Sequence, residues 1–132
     1  MATQHCWTEK DDVVAFYLSR FQGTRFLGVS LARIAKILSE RPPLGGGRAV
    51  PMSENALSMR VGNFDYLDGR PSPWSNYAPN KSGRVYEKYK DLSIIELRSV
   101  VVKILGITVK DHVERSFREF CTKYLKPQIS IN

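Results

Sequence analysis

The sequence contains few of the residues from which metal and catalytic sites are built. It has two histidines, His5 and His112, and two cysteines, Cys6 and Cys121. Neither histidine is spaced from a cysteine as the ligands of a metal site are. The glycine run at residues 45–47 is not followed by the Lys-Ser/Thr pair of a phosphate-binding loop. We therefore expect no metal, no cofactor and no catalytic activity in this chain.

Long apolar runs and an export signal are also missing. No stretch approaches the roughly 18 apolar residues that a membrane helix needs, and residues 1–10 lack the cationic-then-apolar form of a signal peptide. These absences predict a cytoplasmic protein with reduced thiols, of which Cys121 is expected in the core. A length of 132 residues with 42% hydrophobic and 25% charged residues predicts one globular domain spanning residues 1–132.

Acidic residues are absent from two long windows of a basic chain. There are 20 Lys and Arg against 13 Asp and Glu, which gives a formal net charge of +7. No acid occurs in residues 13–39 or 69–86, whereas Arg25, Arg33 and Arg84 fall inside these windows. Such windows are either solvated faces or the footprint of a polyanion. We favour a nucleic-acid footprint, because the windows coincide with other polar and aromatic signals.

Capping residues precede four amphipathic stretches of the chain, and they are Thr8, Ser30, Ser53 and Ser93. The last of them forms a capping box with Glu96 and opens an apolar helix that Gly106 ends. Another helix is predicted around residues 84–91 and a final one from Asp111 onwards. Sustained period-two alternation, the signature of half-buried strands, is missing. The sequence therefore predicts an all-α fold of five to six helices in one compact domain.

The first three predicted helices have the order and size of a helix-turn-helix or Myb-like trihelical unit. In such units the third helix enters the major groove of DNA. Its solvent face here offers Asn55 and Ser58, with Arg60 on its flank, and its N-terminus at Ser53 has free amides suited to a phosphate. The alternative is a plain helical bundle. We predict a helix-turn-helix-like half at residues 1–69, with C-terminal helices at 85–132.

The segment ENALSMRVGNFDYLDG, residues 54–69, is similar to a known pattern. With Trp7-Thr8 and the Ile/Ala/Leu-rich residues 34–38, it resembles the helical DNA-binding segment that precedes HNH nuclease domains in bacterial modification-dependent restriction proteins. Some members of this broad group are similar to sulfur-binding domains, which recognise phosphorothioate-modified DNA. The resemblance covers about residues 7–90. It implies a reader of modified duplex DNA, with any nuclease in a separate domain or chain.

A rigid loop, predicted at residues 70–84, connects the two halves and contains the stretch PSPWSNYAPNKSGR. A phosphorothioate sulfur is larger, more polarisable and a weaker hydrogen-bond acceptor than oxygen. A site that prefers it needs a small apolar pocket, with cations nearby for the phosphate charge. The predicted pocket residues are Pro73, Trp74, Tyr77, Ala78 and Pro79, and the predicted cations are Lys81 and Arg84. Alternatively, Trp74 and Tyr77 anchor the loop in the core, or they stack on unpaired bases.

The sequence thus favours a DNA-binding domain that recognises modified double-stranded DNA, with a phosphorothioate as the candidate modification. The alternatives are an ordinary helix-turn-helix regulator and a protein-interaction module. The expected DNA contacts come from the trihelical half, the loop between its second and third helices, and the loop after it. They are Arg25, Arg33, Arg48, Ser53, Asn55, Ser58, Arg60, Lys81 and Arg84.

Overall fold

A computed structural model of the chain describes residues 7–21, 23–40, 52–69 and 80–124, with the side chains of 80–82 left out. Six α-helices account for most of this part, and none of its residues lies in a strand, so the predicted all-α class is confirmed. The helices are α1 (Glu9–Arg20), α2 (Leu31–Ser39), α3 (Glu54–Leu67), α4 (Asn80–Tyr89), α5 (Ile94–Leu105) and α6 (Asp111–Tyr124).

Local signals fix the start of each capped helix. The Thr8 hydroxyl accepts a hydrogen bond from the Asp11 amide at 3.2 Å, and the Asp11 carboxylate accepts one from the Thr8 amide at 3.1 Å. Ser30 and Ser53 cap α2 and α3 through one hydroxyl contact each. Such caps satisfy amides that have no partner within the helix.

The second capping box and its stop signal also form as predicted. Ser93 and Glu96 exchange hydrogen bonds at 3.0 and 3.1 Å. Gly106 ends α5 in a left-handed conformation, with φ of 65°.

The helix α1 is the centre of the protein. Every residue from Asp11 to Leu18 is buried, and the helix packs against α3, α4 and α5. The ring of Phe16 lies 5.5 Å from that of Phe64 in α3 and 5.7 Å from that of Tyr86 in α4. A helix buried on all sides can carry acids inside only if cations reach them. Both Asp11 and Asp12 are among these buried residues.

The helix α6 packs against the turn between α1 and α2. Phe26 of that turn lies 5.3 Å from Phe117 and 4.9 Å from Phe120, measured between ring centroids. Gly28 has φ of 74°, and a Cβ atom added there would lie 3.1 Å from a methyl group of Val113. The turn therefore needs glycine both for its backbone conformation and for the close approach of α6.

One helix boundary and the burial of one residue differ from the sequence prediction. The helix α4 begins at Asn80, so residues 80–84, which the sequence assigns to the loop, are helical. Its contacts with α1 and α3 outweigh the unfavourable helix propensity of Gly83. Cys121, expected in the core, is only partly buried at its edge. The helix-turn-helix-like character of the first half stays a prediction.

Candidate nucleic-acid interface

The N-terminal half of α3 has an exposed polar side. Glu54, Asn55 and Ser58 are exposed, and the last two lie on one side of the helix because they are three residues apart. From Gly62 to Phe64 the helix is buried against the rest of the protein. The exposed hydrophilic side chains thus lie in about the first two turns, and Tyr66 is exposed in the last turn.

Ser53 fixes where this exposed segment begins. Its hydroxyl accepts a hydrogen bond from the Ala56 amide at 2.9 Å, and its carbonyl accepts one from the Leu57 amide at 3.1 Å. Ser53 is exposed, as expected for a residue at a candidate contact surface. Its hydroxyl proton stays available for an acceptor outside the protein, because the capping bond uses only the oxygen lone pair.

A serine in α2 ties that helix to the start of α3. The Met52 amide donates to the Ser39 hydroxyl at 2.6 Å, and this hydroxyl lies 2.7 Å from the Ala35 carbonyl oxygen. The buried side chain of Met52 anchors the same point in the core. The end of α2 and the beginning of α3 are thus held together even though the chain between them lies outside the described residues.

Three of the predicted phosphate-contacting cations are on the surface. Arg33 on α2 and Arg84 on α4 are exposed, and neither makes an ion pair with the described acids. Arg25 is exposed in the turn between α1 and α2, where its guanidinium lies 4.8 Å from the ring centroid of Phe26 and 5.7 Å from that of Phe120. These aromatic contacts hold the Arg25 guanidinium at the surface of the turn.

Arg60, in contrast, is part of the interior. Its Nε atom donates to Oδ1 of Asp12 at 2.7 Å, its side chain is only 11% exposed, and its guanidinium lies 4.3 Å from the ring centroid of Trp7. This ion pair opposes the predicted contact of Arg60 with DNA, which stays a prediction. Arg60 forms an ion pair with the buried carboxylate of Asp12, because an acid removed from water needs a charged partner.

The remaining predicted residues are not described. Arg48 and the pocket residues Pro73, Trp74, Tyr77, Ala78 and Pro79 lie outside the described residues. The backbone of Lys81 belongs to α4, while its side chain is outside the described part. The sulfur pocket thus stays a prediction.

A polar network that the sequence did not predict joins the ends of α1, α3 and α4. Arg20 contacts both carboxylate oxygens of Asp68, at 2.7 and 3.1 Å, and also donates to the carbonyl of Lys90. The Tyr86 hydroxyl donates to Asp68 at 2.9 Å. Burial, followed by the hydrogen bond and the charge of Asp68, raises the pKa of Tyr86.

This network fixes both sides of the chain segment from which the sulfur pocket is predicted. Asp68 lies just before residues 70–79, while Tyr86 and Lys90 follow them at the end of α4. A bidentate Arg–carboxylate contact constrains orientation as well as distance. Three contacting residues therefore hold the flanks of that segment at fixed positions.

No short motif reveals these pairs in the sequence. Arg20 and Asp68 are 48 residues apart, as are Asp12 and Arg60.

Within the described ranges, no three His, Cys, Asp or Glu side chains are grouped so as to hold a metal ion, and no helix is long and apolar enough to span a bilayer. Comparisons with protein-family models, with curated proteins and with solved structures found no match to this chain.

Proposed function

We propose that this chain is a DNA-binding domain that recognises modified duplex DNA, with a backbone phosphorothioate as the modification, and that it serves as the reader module of a restriction system. The proposal assigns it no catalysis and places it in the cytoplasm. The observation that supports it best is the exposure of the N-terminal half of α3. Groove-binding helices contact base edges through their N-terminal residues, which is where Asn55 and Ser58 lie.

The charge distribution supports a polyanionic ligand. All 13 acids lie in the described residues, whereas residues 41–51 and 70–79 contain Arg41, Arg48 and Arg70 and no acid. These segments flank α3 on both sides in the sequence. Together with Arg33 and Arg84 they supply cations for phosphates on either side of an inserted helix.

One exposed residue opposes DNA binding at this surface. Glu54 lies beside Asn55 in the first turn of α3 and has no ion-pair partner among the described residues. Its charge favours the helix through the macrodipole and disfavours a nearby phosphate. A domain that binds DNA through this surface should therefore have only a moderate affinity for unmodified DNA. A contact with the modification would then account for a larger share of the total affinity.

Three forms of one duplex test the proposal: unmodified, base-methylated and phosphorothioated. We expect the phosphorothioated duplex to bind most tightly at moderate salt. Equal binding of all three contradicts modification reading and favours an ordinary helix-turn-helix regulator. Absence of binding even at low salt contradicts DNA binding altogether and favours an acidic protein partner.

Variants of the predicted pocket sharpen this test. Tyr77→Ala and Ala78→Asp should weaken binding of the phosphorothioated duplex and leave the weak binding of the plain duplex unchanged. Thermal melts run alongside separate a binding effect from unfolding. A large loss of stability with unchanged preference per folded molecule identifies Tyr77 as a core anchor instead.

A further inference from the structure

Tyr66, in the last turn of α3, is a surface tyrosine that makes no polar or aromatic contact within the described part of the protein. It is 45% exposed, and neither a hydrogen bond nor a ring contact joins it to a described residue. The other described tyrosines all make such a contact. Tyr86 and Tyr89 donate to carboxylates, while the rings of Tyr17 and Tyr124 lie 5.5 and 5.1 Å from phenylalanine rings. The hydroxyl of Tyr66 is thus available to a partner outside the protein.

Tyr66 lies on the same side of α3 as Asn55. The two residues are 11 positions apart, which is about three turns at 3.6 residues per turn. Met59 lies on this side one turn after Asn55, and its Sδ atom is 3.9 Å from Nδ2 of Asn55. The remaining turn is occupied by Gly62, which is buried and has no side chain. Tyr66 therefore extends the side of α3 that begins at Asn55 towards the C-terminal end of the helix.

The length of α3 places Tyr66 beyond the bases that Asn55 is proposed to contact. Eleven residues at a rise of 1.5 Å separate the two positions by about 16 Å along the helix axis. The major groove of B-DNA is only about 12 Å wide. When the first turns of α3 contact base edges, the last turn therefore reaches the sugar-phosphate strand that borders the groove. Phosphate oxygens are acceptors there, and a tyrosine hydroxyl is one of the groups that donate to them.

The two acids nearest Tyr66 in the sequence are directed at other parts of the protein. Oδ1 of Asp65 accepts a hydrogen bond from the Ser19 hydroxyl at 2.5 Å, and both carboxylate oxygens of Asp68 contact Arg20. These contacts hold both carboxylates towards the end of α1. The charge of Arg20 also compensates that of Asp68. A phosphate beside the Tyr66 hydroxyl therefore meets less repulsion than the two acids alone suggest.

We propose that the Tyr66 hydroxyl donates a hydrogen bond to a backbone phosphate at the edge of the major groove, and that this contact fixes how far α3 extends across the duplex. A phosphate contact carries no sequence information, so Tyr66 positions the helix while Asn55 contacts bases. The inference rests on the proposed DNA binding through α3. It is independent of the modification and of the predicted sulfur pocket.

Tyr66→Phe tests the hydroxyl, because it removes the donor and keeps the ring. We expect it to weaken binding of the unmodified, base-methylated and phosphorothioated duplexes by a similar factor of about ten. The slope of log affinity against log salt should stay that of the wild type, since the variant loses no charge. The matched control is Tyr124→Phe, which makes the same change at an exposed tyrosine of α6 and should leave every affinity unchanged. Circular dichroism melts establish that both variants are folded.

Duplexes with single methylphosphonate substitutions identify the phosphate. Each substitution replaces one charged phosphate oxygen by a methyl group, so it removes one acceptor at a known position. At a position that borders the groove, the substitution should weaken binding of the wild type by a larger factor than binding of Tyr66→Phe. Equal losses for the two proteins at every position overturn the proposal.

The outcomes distinguish this inference from the proposed function. If the wild type binds DNA and Tyr66→Phe binds it equally well, the hydroxyl contact is wrong, whereas the proposed function is not contradicted. A loss with Tyr66→Ala but not with Tyr66→Phe also overturns the hydroxyl contact and indicates that the ring packs on the backbone. If the wild type binds no duplex even at low salt, the proposed function is wrong, and this inference is wrong with it.

Discussion

The Nε atom of Arg60 lies 2.7 Å from Oδ1 of Asp12, so an ion pair inside the protein joins α3 to α1. The carboxylate of Asp12 is fully buried, and the arginine is 11% exposed with its flat face against Trp7. The burial of the carboxylate and the Trp7 ring beside the guanidinium thus shield the ion pair from water. Breaking such a pair on one side costs more than the pair contributes, because a charge is left without its counterion.

We expect Arg60→Met to lower the free energy of unfolding by about 3 kcal/mol, since it removes the ion pair that Arg60 makes with the buried carboxylate of Asp12. Urea unfolding monitored by circular dichroism measures this loss. The double variant Asp12→Asn with Arg60→Met should lose much less than the sum of the two single variants. Additive losses would contradict a direct coupling between the two residues.

A substitution at Tyr17 is expected to raise the stability of the protein, in contrast to Arg60→Met. Its side chain is fully buried, and its hydroxyl has no hydrogen-bond partner in the part of the chain that the structure describes. Tyr17→Phe removes this polar group and keeps the ring, so stability at neutral pH should rise by up to about 1 kcal/mol. The matched variant Tyr86→Phe removes a hydroxyl that does have a partner, Asp68, and should lower stability by about 1 kcal/mol.

The same tyrosine predicts a loss of stability at alkaline pH. Burial raises the pKa of Tyr17 to about 12. Because the folded state disfavours the charged phenolate, the neutral Tyr17 side chain contributes fully to the free energy of unfolding below the unfolded pKa near 10. This contribution is lost as pH rises towards 12. Urea midpoints measured from pH 9 to 12 should therefore fall less steeply for Tyr17→Phe than for the wild type. Parallel curves would contradict this assignment.

Asn55 should contribute to base preference if α3 enters the major groove. Loss of a bidentate contact to a base costs about 1–3 kcal/mol of discrimination, so Asn55→Ala should narrow the range of affinities across a set of base-substituted duplexes. Thr122→Ala, at an exposed position on α6, is the control and should leave that range unchanged. An unchanged range for Asn55→Ala would show that α3 reads no bases.

Arg33 should contribute to affinity without affecting preference. Each lost phosphate contact makes the slope of log affinity against log salt shallower by about 0.9, and Arg33→Ala should do so for every duplex alike. Lys110→Ala removes an exposed cation of the same charge before α6 and is the comparison. Equal slopes for wild type and Arg33→Ala would exclude a direct contact between Arg33 and the backbone.

Glu54→Gln should strengthen binding to all duplexes at low salt, since it removes the one exposed acid in the first turn of α3. A gain of about 0.5 kcal/mol is expected for an exposed charge, with a similar small loss of helix stability. Glu119→Gln, at an exposed position on α6, controls for the change in net charge. If both variants gain equally, the surface of α3 is not where DNA binds.

The features that sequence analysis predicted correctly are those encoded within a few residues. Thr8, Ser30, Ser53 and Ser93 each cap the expected helix, because a hydroxyl reaches an amide three residues ahead. Gly106 ends α5 for a similarly local reason, its positive φ. Short-range chemistry of this kind depends little on the rest of the chain.

The roles of the charged residues could not be predicted in the same way. Arg60, in the middle of α3, and Asp68, its C-cap, have the appearance of surface residues, and their partners lie 48 residues away. Which cation compensates a buried acid depends on how α1 packs against α3 and α4. Local sequence patterns do not specify that packing, so they did not predict the ion pairs of Arg60 and Asp68.

The position of Arg98 has a consequence for hydrogen exchange. Its Nε donates to the carbonyl of Phe26, its Nη1 lies 3.3 Å from Glu114, and its guanidinium lies 4.1 Å from the ring centroid of Phe117. One side chain of α5 thus holds both the turn after α1 and the helix α6. Cooperative opening of α6 must release the contacts of Arg98 with Glu114 and Phe117 together. The amides of α6 are therefore expected to exchange as one group and earlier than those of α1.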